Sequence, residues 1–179
     1  MHPINQKHYQ LLEKWRHKMD LVGPGDIDIH FEDAINSVQK IPFCSSWADL
    51  GSGAGFPGIA LSAQQEEAHI QMIESRQKRC SFLKTIVREA NINNVQVSNT
   101  RTENISRLFD GVISRAYKPP LEYLEDAARL LKPEGIAVLM LGSNPDITLP
   151  PNWTLMESHR YPVADHTRML WILQYRRQS

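Results

Sequence analysis

Between Trp47 and Phe56 the chain reads Ala-Asp-Leu-Gly-Ser-Gly-Ala-Gly, with glycines at the alternate positions 51, 53 and 55. Trp47 to Leu50 is a short apolar-leaning run of strand character, and Pro57-Gly58 opens a helical stretch with Ile59, Ala60, Leu61 and Ala63 on it. A strand that turns through glycines into a helix brings bare backbone close to a ligand. Asp49, at the end of that strand, supplies a carboxylate beside the loop. The combination suits a nucleotide-like small molecule carrying an ammonium group.

Two kinds of nucleotide site compete for such a pattern. Gly53, Gly55 and Gly58 spell G-x-G-x-x-G, and Glu74 lies 19 residues past Gly55 behind a second apolar run, as a dinucleotide fingerprint requires. That fingerprint expects the strand to end immediately before its first glycine, whereas this chain turns at Gly51 and has Pro57 inside the supposed turn. An acid at a strand end followed by G-x-G-x-G fits an S-adenosylmethionine site better. A glycine-rich turn that binds nothing is the plain alternative, and Asp49 and Glu74 together weigh against it.

The rest of the chain alternates in a way that fixes the fold class. Spacing predicts helices at 8–19 and 31–39, the first stopped by Gly23-Pro24-Gly25. Beyond Ser46, strands at 47–50, 69–73, 95–98 and 111–114 alternate with helices at 58–66, 76–90, 103–108 and 121–131, the last stopped by Pro133 and Gly135. A buried strand at 136–141 follows, then a hairpin of 153–160 and 169–176 around a turn at 162–165. Repeated β-then-α means a mostly parallel sheet with helices on both faces. A closing hairpin sets one antiparallel strand into it, where a nicotinamide-binding domain would end on another crossover.

Length and composition exclude several classes. The 179 residues suit a single domain, 1–179, with a helical segment at 1–45 ahead of the sheet. Apolar runs fall far short of the ~20 residues of a membrane span, and residues 1–7 lack the apolar core of a signal peptide. Cys44 and Cys80 are too few for a disulfide framework, and no metal-ligand spacing is present. The expectation is a cytoplasmic monomer without metal. Lys plus Arg equals Asp plus Glu at 20 each, so net charge is silent on nucleic acid. Arg76, Lys78, Arg79, Lys84 and Arg88 gather on one helix, and Lys7, Lys14, Arg16 and Lys18 on another. Each cluster reads either as a solvated face or as a local RNA patch.

The segments DLGSGAGFPGIALS, IESRQKRCSFL, FDGVISRAY, LLKPEG, RYPV and TRMLWIL, in that order and spacing, closely resemble the RsmG (GidB) family over about 15–176. That resemblance implies a Rossmann-like class I methyltransferase with a seven-stranded sheet. It also implies methyl transfer from S-adenosylmethionine to the 7-nitrogen of a guanine in ribosomal RNA of the small ribosomal subunit. Carried over by position, it implies a cofactor pocket at Asp49, Gly51, Gly53, Gly55 and Phe56. Glu74 and Ser75 would meet the ribose, and Thr102 and Glu103 the adenine edge. Arg115 and Arg168 would line a cleft shared by cofactor and substrate, and His30 and Asp33 match a paired motif ahead of the sheet. The chain departs from the family at Asp20-Leu21-Val22, at Ala34 (a hydroxyl is usual) and at Leu141-Gly142 (Lys-Gly is usual), all expected on the substrate side.

Transfer to the 7-nitrogen needs no general base, because that atom presents a lone pair; alignment and exclusion of water suffice. An arginine near the guanine's 6-oxygen would hold the base, although Arg115 and Arg168 also read as surface ion pairs. Other methyl transfers lack their parts. Adenine-amino methylation uses an Asn/Asp-Pro-Pro-aromatic turn where this chain has Ser114-Arg115-Ala116-Tyr117, and Pro119-Pro120 comes too late. Pyrimidine carbon methylation needs a nucleophilic Cys, and Cys80 falls on an apolar helix face. Tyr117 either stacks on a base or covers the core edge, and His30 either moves a proton or pairs structurally with Asp33. Two rival functions remain at this point: a non-catalytic RNA-binding or ribosome-assembly module, and a small-molecule methyltransferase. Gly53→Val is expected to abolish cofactor binding while leaving the fold.

Overall fold

In the computed structural model, which describes residues 1–23 and 26–176, seven strands form one sheet in the order β3-β2-β1-β4-β5-β7-β6. β1 (Ser46–Leu50), β2 (His69–Glu74), β3 (Val95–Asn99), β4 (Phe109–Ser114) and β5 (Leu131–Leu141) run parallel. β7 (His166–Tyr175) enters antiparallel beside β5, and β6 (Trp153–Val163) closes the edge against it. The chain moves outward from β1 through β2 to β3, then returns to place β4 on the other side of β1. The strand order therefore reverses between β1 and β4, and ligands of doubly wound sheets collect at the carboxyl ends of such strands.

Side-chain alternation along β1 feeds two cores. Trp47 enters one with Leu12, Phe31, Ile59 and Leu83, beneath α1 (Pro3–Trp15), α2 (Ile27–Val38), α3 (Gly58–Gln64) and α4 (Gln77–Glu89). Ala48 and Leu50 enter the other with Val112, Leu124 and Leu139, beneath α5 (Pro120–Leu130). Each fully buried side chain of this size stabilises the fold by about 1.5–3 kcal/mol relative to exposure. Trp47 also donates from Nε1 to Gln65 Oε1 at 2.9 Å, and its ring fills the space over Gly111, where a Cβ would run into it.

Several boundaries differ from the sequence expectation, each for a local reason. α1 starts at Pro3 and not at 8, because Pro3 occupies the first turn and His2 accepts from the Ile4 N–H. It ends at Trp15; Lys18 and Met19 fold back onto the Trp15 carbonyl as a turn. Of the expected stop, Pro24 and Gly25 lie outside the described residues. α2 starts at Ile27 because Asp26 caps the Asp28 N–H. The helix expected at 103–108 is only a 3-10 turn, Thr102–Asn104; Arg129 donates to the carbonyls of Thr102 and of Ile105 just beyond it. α5 passes directly into β5 at Leu131, so Pro133 and Gly135 lie inside a strand whose register against β4 shifts there. The hairpin turn is only Ala164-Asp165, and Pro162 belongs to β6, an edge strand that tolerates a proline.

Candidate active site

The loop after β1 is held by backbone bonds that only glycine-like geometry permits. Gly51 and Ser52 donate to the Ile73 carbonyl at 2.9 and 3.2 Å, and Gly55 donates to the Ser52 carbonyl at 2.7 Å. Gly51, Gly53 and Gly55 take φ of +64°, +54° and +102°, a region that costs other residues roughly 1–2 kcal/mol. At Gly51 a Cβ would come within 2.5 Å of Tyr117 Cδ2. Around Gly53 there is room, the nearest atom to a Cβ lying at 3.6 Å. Gly53→Val would thus strain the turn itself, a cost that the expectation of an intact fold left out.

Two clefts meet over this loop at the carboxyl edge of the sheet, with volumes of about 470 and 500 Å³. Gly51, Arg79 and Ala116 line both. Gly53, Phe56, Arg115 and Arg168 line the first, along with His30, Asp33 and Tyr161. Glu74, Ser75, Thr102 and Glu103 line the second, along with Tyr117. Asp49 and Gly55 stand in the wall of neither; Asp49 lies behind the loop, and Gly55 closes its turn.

In the second cleft Glu74 is buried, and its carboxylate is already engaged from the protein side. Oε2 accepts from Gly53 N–H at 3.0 Å and Oε1 from Arg76 N–H at 2.8 Å. Those bonds fix its direction and leave lone pairs for ligand hydroxyls. Tyr117 is tethered, its hydroxyl 2.8 Å from Thr102 Oγ1 and 3.1 Å from Asp126 Oδ2, and it packs on the second core while lining the cleft. Its ring covers the core edge, one of the two roles considered for it.

Asp49 is fully buried, and among the described residues neither carboxylate oxygen has a partner of full hydrogen-bond geometry, although the Ser52 hydroxyl and the Gly58 N–H stand near enough to favour its charged form. Burial pushes its pKa up to about 7, and Glu74 adds to the rise; Ser52, Gly58 and Arg115 act in the opposite direction. When ionised, this carboxylate beneath the glycine loop creates negative potential that favours a nearby cation. With Glu74 aimed into the neighbouring cleft, these residues fit S-adenosylmethionine, which carries a sulfonium, an ammonium and two ribose hydroxyls.

The first cleft is organised around Arg115, at the carboxyl end of β4. Its Nη1 lies 3.4 Å from Asp33 Oδ2, and its guanidinium carbon is 4.5 Å from the centre of the Phe56 ring. Asp33 Oδ1 accepts from the Tyr161 hydroxyl at 2.8 Å, so α2, β4 and β6 converge on one carboxylate. This pair is largely shielded from solvent, with side chains 18% and 13% exposed, and differs from the exposed ion pair considered from sequence. Arg168 stands opposite Tyr161 in the β6–β7 ladder and makes no salt bridge among the described residues. His30 has its pKa lowered, first by burial and then by Arg115, against the pull of Asp33.

The departures from the family pattern gather mostly at the first cleft. Leu21, Val22, Leu141 and Gly142 line the first cleft, and the Asp20 carbonyl accepts from Arg79 Nη2 at 2.9 Å. Ala34 is a buried core residue, so packing takes the place of a hydroxyl there. Arg79 joins the two clefts, while Lys78, Lys84 and Arg88 of the same helix are exposed. The thiols are inert: burial pushes Cys44 up to about 12, and Cys80 Sγ bonds the Glu74 carbonyl at 3.1 Å. Among the described residues no group of three or more His, Cys, Asp or Glu is placed to hold a metal, and no helix is long and apolar enough to cross a membrane.

Sequence reasoning passed over three residues of this site: Arg79 as a member of both clefts, Tyr161 as the partner of Asp33, and His8 behind the loop. His8 stands four residues before Leu12 and seven before Trp15, a helical spacing that would have put it on the buried face.

Comparison with known proteins places this geometry among relatives. A family model for GidB, rRNA small subunit methyltransferase G, matches residues 2–166. Proteins named ribosomal RNA small subunit methyltransferase G are similar along most of the chain. The one from Caulobacter vibrioides is 33% identical, covering 87% of this chain and 76% of its own. That of Azoarcus sp. strain BH72 is 31% identical, covering 92% and 82%, and that of Vibrio cholerae 32%, covering 92% and 83%. Among solved structures, an O-methyltransferase from Bacillus cereus in complex with SAH superposes with a TM-score of 0.66 at 13% identity, covering 96% and 91% of the two chains. TYW2 of M. jannaschii in complex with AdoMet gives 0.62 at 14%, covering 88% and 78%. At such identities these two show the fold alone.

Proposed function

The chain belongs to the GidB family of small-subunit rRNA methyltransferases, and from that membership and the two joined clefts we propose how its residues divide the work. The enzyme transfers a methyl group from S-adenosylmethionine to the 7-nitrogen of a guanine in small-subunit ribosomal RNA. Residues 1–179 act as one cofactor-binding domain, as a monomer, on RNA in an assembled or partly assembled subunit. The observation that carries this reading is the meeting of the clefts at Gly51 and Ala116. One side offers a directed carboxylate, the other two arginines, with the glycine loop between them.

Gly51, Gly53 and Phe56 shape the cofactor's bed, with Gly55 and Asp49 behind it. Glu74 and Ser75 receive the ribose hydroxyls, and Thr102 and Glu103 flank the adenine. S-adenosylmethionine supplies the electrophilic methyl. Arg115 lies between Phe56 and Asp33 and presents fixed donors toward the first cleft, while Arg168 faces the same space. A guanidinium fork matches the acceptor edge of guanine. Holding the base so restricts its motion relative to the methyl carbon, the main requirement when the nucleophile needs no deprotonation.

The test is transfer of radiolabelled methyl to small subunits from a strain lacking the endogenous enzyme. Label recovered as 7-methylguanine supports the reading. Cofactor binding with no label in RNA points to an RNA-binding or assembly module, and label in small molecules points to a small-molecule methyltransferase.

A further inference from the structure

His8 belongs to α1, outside every strand and loop of the clefts, yet it is fully buried against the back of the glycine loop. Its Nε2 lies 2.7 Å from the carbonyl oxygen of Ala54. A carbonyl only accepts, so Nε2 carries the proton and donates. Burial, opposed by the Ala54 hydrogen bond and helped by Arg115, lowers the His8 pKa to about 4, so at neutral pH the ring holds a single proton, which this bond places on Nε2. The ring packs against Phe31 and Phe56, with centroids 4.8 Å away in each case, and Phe31 meets Phe56 edge-on at the same distance. Gly55 has to be a glycine partly because of this ring: a Cβ there would lie 3.0 Å from His8 Cε1 and Nε2.

The same Phe56 ring carries the Arg115 guanidinium at 4.5 Å. The chain of contact therefore runs from α1 through His8 to the Ala54 carbonyl and the Phe56 ring, and from there to a cation in the cleft. We infer that His8 is a positioning residue for methyl transfer, its Nε2–H holding Ala54-Gly55-Phe56 so that Phe56 sets the place of Arg115. The inference rests on Arg115 being a working cation of the first cleft. It makes α1 a part of the site, and gives the buried imidazole a role that packing alone would not require. A core position of this size is ordinarily filled by an apolar ring, because a buried polar group is tolerated only with its bond made.

Two variants of the full chain separate the bond from the packing. His8→Phe keeps the ring and removes the donor; His8→Gln keeps a donor that reaches the same carbonyl and removes the ring. Thermal melting reports the fold, titration with S-adenosylhomocysteine reports the loop, and kcat and KM for S-adenosylmethionine on small subunits report the alignment. His8→Phe is expected to melt within a few degrees of the wild type, to bind S-adenosylhomocysteine about tenfold more weakly, and to lose about tenfold in kcat. His8→Gln is expected to recover affinity to within about threefold despite its poorer packing. In the Arg115→Ala background His8→Phe should add less than threefold, since both changes act through one chain of contact. Unchanged affinity in His8→Phe, equal losses in Phe and Gln, or full additivity with Arg115→Ala overturns the assignment. If wild-type protein binds the cofactor but methylates no RNA, the substrate reading fails while the affinity arm still decides the role of His8.

Discussion

The Arg115 guanidinium rides on the face of Phe56, 4.5 Å from the ring centre, and this stacking couples the fourth strand to the glycine loop after the first. A desolvated cation–ring contact of this kind is worth about 1–2 kcal/mol. Asp33 holds the other side of the guanidinium at 3.4 Å. Removing Arg115 therefore takes away a ring partner and leaves a mostly buried carboxylate with, among the described residues, only the Tyr161 hydroxyl.

Arg115→Ala is expected to cost about 2–3 kcal/mol of stability, below the ~3–5 kcal/mol of a fully buried broken pair because some solvent reaches this one. S-adenosylhomocysteine affinity and turnover should both fall at least tenfold. Arg115→Lys keeps the charge and loses the planar stack and fork, so it should recover stability more than turnover. Denaturant melts and calorimetric titration measure the two halves. Turnover restored fully by lysine would show that only the charge matters.

Tyr161→Phe probes the same carboxylate from β6. The hydroxyl at 2.8 Å is one of two groups holding Asp33 among the described residues, and a bond to a charged acceptor contributes about 1.5–3 kcal/mol. The expected loss is about 1–2 kcal/mol, since Arg115 remains in place, with turnover falling less than in Arg115→Ala. An unaltered melting curve would mean that Arg115 alone holds Asp33.

How far the site was legible in the sequence follows from the range of each signal. The glycine loop, Asp49 and Glu74 are local patterns, and β1, β2 and the loop between β1 and α3 form where their residues indicate. Helix starts at Pro3 and Ile27 were misplaced because a cap is decided by one or two side chains, His2 and Asp26, outside the apolar period. The continuity of α5 into β5 was missed because Pro133 and Gly135 signal a break, while the pairing of Leu131 with Phe109 carries the strand past them. The meeting of His8 with Ala54, and of Asp33 with Tyr161 across 128 residues, is tertiary and leaves no mark at fixed spacing. The family resemblance supplied Arg168, for which spacing alone gave no signal.

Asp49 makes the free enzyme pH-dependent. Its pKa is about 7 when folded and 3.8 when exposed, so between these values the folded state holds a proton that the unfolded state has released. Stability is then lost as pH rises from about 4 to about 7, up to roughly 4 kcal/mol in all, and levels off above that. Asp49→Asn should flatten this dependence and make the ligand-free protein more stable than wild type at pH 8. A cationic cofactor favours the ionised carboxylate, so S-adenosylmethionine should bind more tightly from pH 6 to 8 and release a proton on binding below pH 7. Titrations in two buffers of different ionisation enthalpy measure that proton; its absence would sink the linkage.

Gly51→Ala tests the junction of the clefts. At φ +64° an alanine costs about 1–2 kcal/mol, and its Cβ would press on Tyr117 Cδ2. Tyr117 is tied to Thr102 and Asp126, so the ring cannot swing aside without breaking one of those bonds. The expected result is weaker S-adenosylhomocysteine binding, by tenfold or more, with a stability loss of about 2 kcal/mol. Gly51→Ala combined with Tyr117→Ala should regain stability; if it does not, the contact is not the cause.

Arg168 offers the sharpest separation of substrate from cofactor. It begins the last strand, stands opposite Tyr161 in the ladder, lines the first cleft with Arg115, and has no salt-bridge partner among the described residues. Its removal orphans no carboxylate, so Arg168→Ala should change stability by less than about 0.5 kcal/mol. It does not line the second cleft, where the adenosine is proposed to lie. S-adenosylhomocysteine affinity should therefore stay within about threefold, under ~1 kcal/mol, while turnover on small subunits falls tenfold or more. Arg168→Lys should recover little of it, because an ammonium lacks the fork that matches an acceptor edge or a phosphate. Turnover and affinity falling by the same factor would move Arg168 from the RNA to the cofactor, and unchanged turnover would leave it a surface residue beside the cleft.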